Sequence, residues 1–120
     1  MLDNFGINLT RSTDDPDSAM VAMVVANAAV ASGKNTMVFL SSEGVRLAVK
    51  GVADKIHEEG LQPMADLVKN FLAAGGSFWV CSPCFNKRGY TNGDLIEGAT
   101  LVGGAKLVEF LTNDGTSVSY

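Results

Sequence analysis

Apolar positions along this chain recur with two periods, one near two residues and one near 3.6, and the switches between them mark out its elements. Phe5-Gly-Ile-Asn-Leu-Thr10 alternates and predicts a first strand. A polar loop, Arg11 to Asp17, follows, with Asp15 placed to cap a helix and Pro16 suited to its first turn, where a missing N–H is no loss. From Asp17 to Ala31 the residues are almost all Ala, Val and Met. A helix that is apolar nearly all round needs burial on several sides, against a sheet and against another subunit. Ser32-Gly33 stops it, with Gly33 as the left-handed terminal residue. Thr36 to Ser41 is an unbroken apolar run between turn residues, the pattern of a buried parallel strand.

Ser42-Glu-Gly opens a short helix expected over Val45 to Lys50 and ended by Gly51, and Val52 to Gln62 reads as polar and irregular. Pro63 starts a helix over Met64 to Ala74, with Leu67, Val68, Phe71 and Leu72 on one face and Gly75-Gly76 closing it. Ser77 to Cys81 predicts a third buried strand, followed by a helical turn through Lys87. Ala99 to Val102 predicts a fourth strand, Ala105 to Leu111 a last helix, and Ser117 to Tyr120 a closing strand. This alternation implies right-handed crossovers and an α/β fold: a mostly parallel sheet of about five strands with helices on both faces. Thr36 to Leu40 and Phe78 to Val80 are its expected central strands. With no repeat, linker or low-complexity run, residues 1–120 are expected to form one domain.

Composition narrows the class. At 47% hydrophobic and a mean hydropathy of +0.18 the chain is too apolar to stay unfolded. Its most apolar stretch, Ala19 to Ala31, falls short of the roughly 20 residues that cross a bilayer, so no membrane partner is expected. The net charge is −4, and the nine basic residues are scattered apart from Lys87-Arg88, which argues against direct binding of nucleic acid. Met1 to Thr10 lacks a basic start and apolar run, so the expected compartment is the cytoplasm, where paired cysteines more often do chemistry than stapling.

Ligands of open parallel sheets collect beyond the carboxyl ends of the strands. Four loops are expected there: Thr10 to Asp15, Ser41 to Gly44, Cys81 to Lys87, and Gly103-Gly104. Only the third carries reactive groups, in Cys81-Ser-Pro-Cys84-Phe-Asn-Lys87-Arg88-Gly89. Free N–H groups at a helix start, with cations nearby, favour a thiolate, which is the nucleophilic form. Two cysteines three apart also allow one to attack and the other to resolve. The alternative is that both are small buried hydrophobes. Structural zinc wants four ligands, and one C-x-x-C with the distant His57 supplies at most three, so neither metal nor cofactor is expected. Lys87 and Arg88 are candidate substrate contacts. So are Ser12 in the first loop and Glu43 in the second, although a turn and helix cap adequately explain Ser12 and capping explains Glu43 as well. His57, in a polar stretch, reads as solvated surface, and Gly103-Gly104 lacks the spacing of a dinucleotide fingerprint.

Several segments together resemble the DsrE/DsrF-like family of small sulfur-handling proteins, which includes the TusD-related subunits of sulfur relays. They are Asp14-Asp15-Pro16 before an alanine-rich helix, Val38-Phe39-Leu40 followed by Glu43-Gly44-Val45, and Val80-Cys81 leading to Lys87-Arg88-Gly89. Leu95 to Ala99 and Val102-Gly103-Gly104 follow in the family's order. The resemblance implies a Rossmann-like or flavodoxin-like three-layer sandwich assembled as a trimer or hexamer. It also implies a persulfide-carrying cysteine at Cys81, with Cys84 as the second cysteine of many relatives, and protein sulfur donors and acceptors as partners. Three functions follow: a sulfurtransferase-like persulfide carrier, a thiol–disulfide redox protein, or a non-enzymatic oligomeric binding protein with structural cysteines.

Overall fold

The computed structural model describes residues 3–120; Met1 and Leu2, which fall within the expected domain and the expected leader-free start, lie outside the described residues. Five strands form one all-parallel sheet in the order β4-β3-β2-β1-β5. They are β1 (Asn4–Leu9), β2 (Asn35–Leu40), β3 (Ser77–Cys81), β4 (Ala99–Val102) and β5 (Gly115–Ser119). The helices are α1 (Pro16–Ala31), α2 (Met64–Ala73), α3 (Ser82–Lys87) and α4 (Gly104–Thr112), with 3-10 turns at Ser42–Ala48, Ala53–Lys55 and Asn92–Asp94.

Alternation along the strands divides the chain into layers. Ile7, Leu9, Val38, Leu40, Phe78 and Val80 point to one face and pack with Ala19, Met20 and Met23 of α1 and Phe71 of α2 in the main core. The other face is covered by α4. Gly6 lets that helix close, since a Cβ there would lie 3.2 Å from the Leu111 side chain, and Phe110 meets the Trp79 ring edge-on at 5.6 Å. Trp79 is therefore half-buried, and β3 alternates where a continuously buried strand was expected.

The capping prediction for α1 holds: the Asp15 carboxylate accepts from the Ser18 N–H, Pro16 fills the first position, and Gly33 is left-handed at φ 82°. Its apolar surplus divides differently from expectation. Met20 and Met23 are fully buried within the chain and Val25 packs against the core, leaving Val21 and Val24 exposed. The helix expected at Val45 to Lys50 is instead a 3-10 helix beginning at Ser42. The cause is Gly44, whose missing Cβ would collide with the Leu9 carbonyl, while its N–H closes a tight turn onto the Ser41 carbonyl at 2.8 Å. The closing strand starts at Gly115 because Asp114, left-handed at φ 59°, turns the chain early into register with Asn4 of β1.

Strand order reverses between β1 and β5, the usual ligand crevice of such sheets. Here Thr10 closes it, its N–H and hydroxyl both donating to the Tyr120 carbonyl at 2.9 Å. Reactive groups gather instead over β1, β2 and β3.

Candidate functional site

Cys81 is the last residue of β3, and Pro83 opens the short α3 that carries Cys84. Both cysteines are free and half-buried. The two thiols are neighbours across this strand-to-helix junction and influence each other's ionisation. The 3-10 turn Ser42–Ala48 after β2 packs against α3.

These contacts separate the two thiols. Burial pushes the Cys81 thiol up, and the neighbouring Cys84 side chain adds to the effect. Burial also opposes ionisation of Cys84, but it is outweighed by the neighbouring Cys81 side chain and Ser42 main chain and by the charges of Arg88 and Lys87. Cys84 is thereby held below the ordinary thiol range. The resemblance ranks Cys81 first; the surroundings favour the anion at Cys84.

Glu43 organises the basic groups. Its carboxylate accepts from Arg46 Nε at 2.9 Å on one oxygen and from Arg88 Nε at 2.7 Å on the other. Arg88 and Arg46 together hold its carboxyl below the usual range. Arg88 Nη1 also donates to the Cys84 carbonyl at 3.1 Å, which ties the cysteine helix to the loop after β2. Arg46 Nη1 donates to the Tyr90 hydroxyl at 2.7 Å, and the Tyr90 ring packs on Phe85 of α3 at 5.3 Å.

Five of the six residues singled out from sequence therefore converge on one cluster: Cys81, Cys84, Arg88, Glu43 and Ser12. Lys87, the sixth, is exposed at the end of α3 and acts on Cys84 through its charge. Ser12 is fully buried, and its hydroxyl donates to the Glu43 carbonyl at 2.8 Å, which anchors the loop after β2. His57 is exposed beside the Leu61 carbonyl, as expected of solvated surface. Sequence reasoning passed over Ser42, Arg46 and Tyr90. The i,i+3 spacing of Glu43 and Arg46 is a readable ion-pair signal; nothing local marks Ser42 or Tyr90.

Two cavities lie elsewhere. One of about 390 Å³ sits under α4, lined by Asn4, Asn35, Trp79 and Lys106, and one of about 280 Å³ lies between α2 and Ile96. Neither is lined by a cysteine, so cavity size and reactive chemistry point to different places, and nucleophilic chemistry follows the thiols. Their half-exposed position suits exchange with a thiol brought by another molecule. Among the described residues, no cluster of three or more His, Cys, Asp or Glu side chains could hold a metal, and no helix is long and apolar enough to cross a membrane.

A model of the DsrE/DsrF-like family matches residues 3–118. Two uncharacterised proteins of Methanocaldococcus jannaschii are similar in sequence. MJ0989 is 28% identical over 116 residues, 97% of this chain and 98% of its own length. MJ0760 is 26% identical over 111 residues; the match takes in 92% of this chain but only 40% of that relative. Among solved structures, the YchN protein of E. coli superimposes with a TM-score of 0.80 over 100% of both chains at 17% identity. MTH1491 of Methanobacterium thermoautotrophicum, a protein of unknown function, does so with a TM-score of 0.72 over 98% of this chain and 99% of its own, also at 17% identity.

Proposed function

The chain belongs to the DsrE/DsrF-like family, and from that premise we propose that it carries sulfane sulfur as a cysteine persulfide, with Cys84 taking the sulfur first. The observation that supports this reading is the pair of free, half-buried thiols at the junction of β3 and α3, with Cys84 on the helix whose end carries Arg88 and Lys87, cations that favour its thiolate. The Cys84 thiolate attacks the outer sulfur of a donor persulfide, R–S–SH. A new S–S bond forms at Cys84, the donor's S–S bond breaks, and the donor leaves as its thiolate. An acceptor thiolate then attacks the outer sulfur of Cys84–S–SH and the Cys84 thiolate is returned. No net oxidation occurs and no cofactor is consumed. Donor and acceptor are proteins or small thiols that reach the half-exposed pair.

Incubation with inorganic polysulfide followed by intact-mass measurement tests this. Wild type and Cys81→Ser are expected to gain the mass of sulfur, reversibly by added thiol, and Cys84→Ser to gain none. Retention in Cys84→Ser with loss in Cys81→Ser reverses the roles. No gain in any form removes the carrier reading.

The Cys81–Cys84 contact favours a second reading, a thiol–disulfide redox pair. That reading expects an 81–84 disulfide that forms with mild oxidant and is reduced again by physiological dithiols, with no sulfur held.

A further inference from the structure

Lys106, Glu109 and Phe110 lie three and four positions apart, so α4 presents all three on one face. That face meets Trp79 of β3. Phe110 packs edge-on against the indole at 5.6 Å, and the Lys106 ammonium stands over the ring, 5.5 Å from its centre. Beside them lies the cavity of about 390 Å³, whose wall Asn4, Asn35 and Asp114 complete. Its volume falls in the range of roughly 300–1,000 Å³ that small-molecule sites span. It sits at the amino ends of β1 and β2, which Asn4 and Asn35 begin, whereas the thiols lie at and beyond the carboxyl end of β3.

The free polar atoms of this wall are mostly acceptors. Asn4, 8% exposed, commits its amide N–H groups to the Phe110 and Asn113 carbonyls at 3.4 and 2.9 Å, which fixes the end of α4. Asn35 donates to Asn4 Oδ1 at 2.7 Å, and its own Oδ1 has no donor among the described residues. Glu109 and Asp114 take part in none of the four ion pairs there. The carboxyl end of α4 adds the negative end of its dipole. The one cation of the wall, Lys106, is exposed and already rests on the indole. An aromatic face beside carboxylates and a free amide oxygen suits a cation that brings N–H donors. We propose that this cavity binds a small organic cation, a guanidinium or primary ammonium on a short apolar chain, and that Lys106 keeps its place over Trp79 until the ligand displaces it. The charged head stacks on the indole and donates to Glu109, Asp114 and Asn35 Oδ1, as a planar guanidinium does best. An anion would need the Asn4 N–H groups, which are taken. The site involves neither cysteine and is independent of sulfur carriage.

Trp79 is the only tryptophan of the chain, so its fluorescence reports on this cavity directly. The full chain is titrated at constant ionic strength with n-butylguanidinium, with n-butylurea, its neutral counterpart of the same shape, and with pentanoate. The expected result is a saturable change with n-butylguanidinium and binding about tenfold weaker or less for the other two. Glu109→Gln is expected to weaken the guanidinium about threefold. Lys106→Met keeps the apolar stem, removes the competing charge, and is expected to tighten binding by about the same factor. Both residues are exposed, so neither substitution threatens the fold. Equal binding of n-butylurea, or saturation with no probe, overturns the proposal. Tighter binding of pentanoate makes the cavity an anion site and overturns it too. Weaker guanidinium binding in Lys106→Met overturns the placeholder role of that lysine. A tryptophan signal that changes with protein concentration before any probe is added, in step with assembly, gives the cavity to a second copy of the chain and overturns the small-cation reading.

Discussion

At the scale of single residues the chemistry turns on which of two similar thiols loses its proton. Limited alkylation of the wild type at neutral pH is expected to label Cys84 first, read by peptide mass; Cys81 labelled first would sink the assignment. The rate at Cys84 should rise with pH and level off below the ordinary thiol range, since its thiol is held down by its neighbours and cations. Arg88→Lys should slow that labelling by about three- to tenfold. A lysine lacks the planar fork that reaches the Glu43 carboxylate and the Cys84 carbonyl together. The C-x-x-C and its two cations were legible in the sequence because they are local. The ion-pair network around them was not, since Glu43, which ties Arg88 and Arg46 together, comes from the loop after β2 and is remote in sequence.

At the scale of elements, periodicity told strand from helix wherever one layer packs on another, and so α1, α2, β2 and β4 fall where their patterns put them. It failed at Ser42–Ala48, whose 3-10 geometry comes from a glycine packed against the end of β1, a tertiary fact. Gly44→Ala should therefore cost about 2–3 kcal/mol in denaturant unfolding, far more than an alanine on an open turn. The ion pairs of this loop carry a pH dependence whose sign is fixed. The Glu43 carboxyl is depressed in the folded chain, so its contribution is present above its ordinary value near 4.5 and is lost as pH falls through the folded value. Thermal melts of wild type and Glu43→Gln should differ at pH 7 and converge in acid. Equal gaps at both would show that the carboxylate contributes through shape alone. The side chain is about a third exposed, so screening keeps the gap modest and salt should shrink it.

At the scale of the whole molecule, the parallel order and the layers followed from the alternation of elements, while the position of the site did not follow from the strand-order rule. The reversal between β1 and β5 is sealed by Thr10 and Tyr120, and the thiols lie over the neighbouring strands. Assembly turns on how the second sheet face is covered. The apolar surplus of α1 reads from sequence as an interface, yet its methionines are buried within the chain, leaving Val21 and Val24 exposed on it. The opposite face has only the nine residues of α4 over it, and Val108 there is 59% exposed, with Val118 of β5 also exposed. A sheet face with a single short helix is the side that a second copy of the chain can finish covering, and closed symmetry is the usual outcome for such self-association. The expectation is therefore a homo-oligomer, a trimer or hexamer, joined through α4 and β5. Sedimentation equilibrium at micromolar concentration should show it, and Val108→Glu should shift it toward monomer while Val21→Glu leaves it assembled. The reverse pattern would place the interface on α1, and monomer alone for the wild type would remove the assembly altogether.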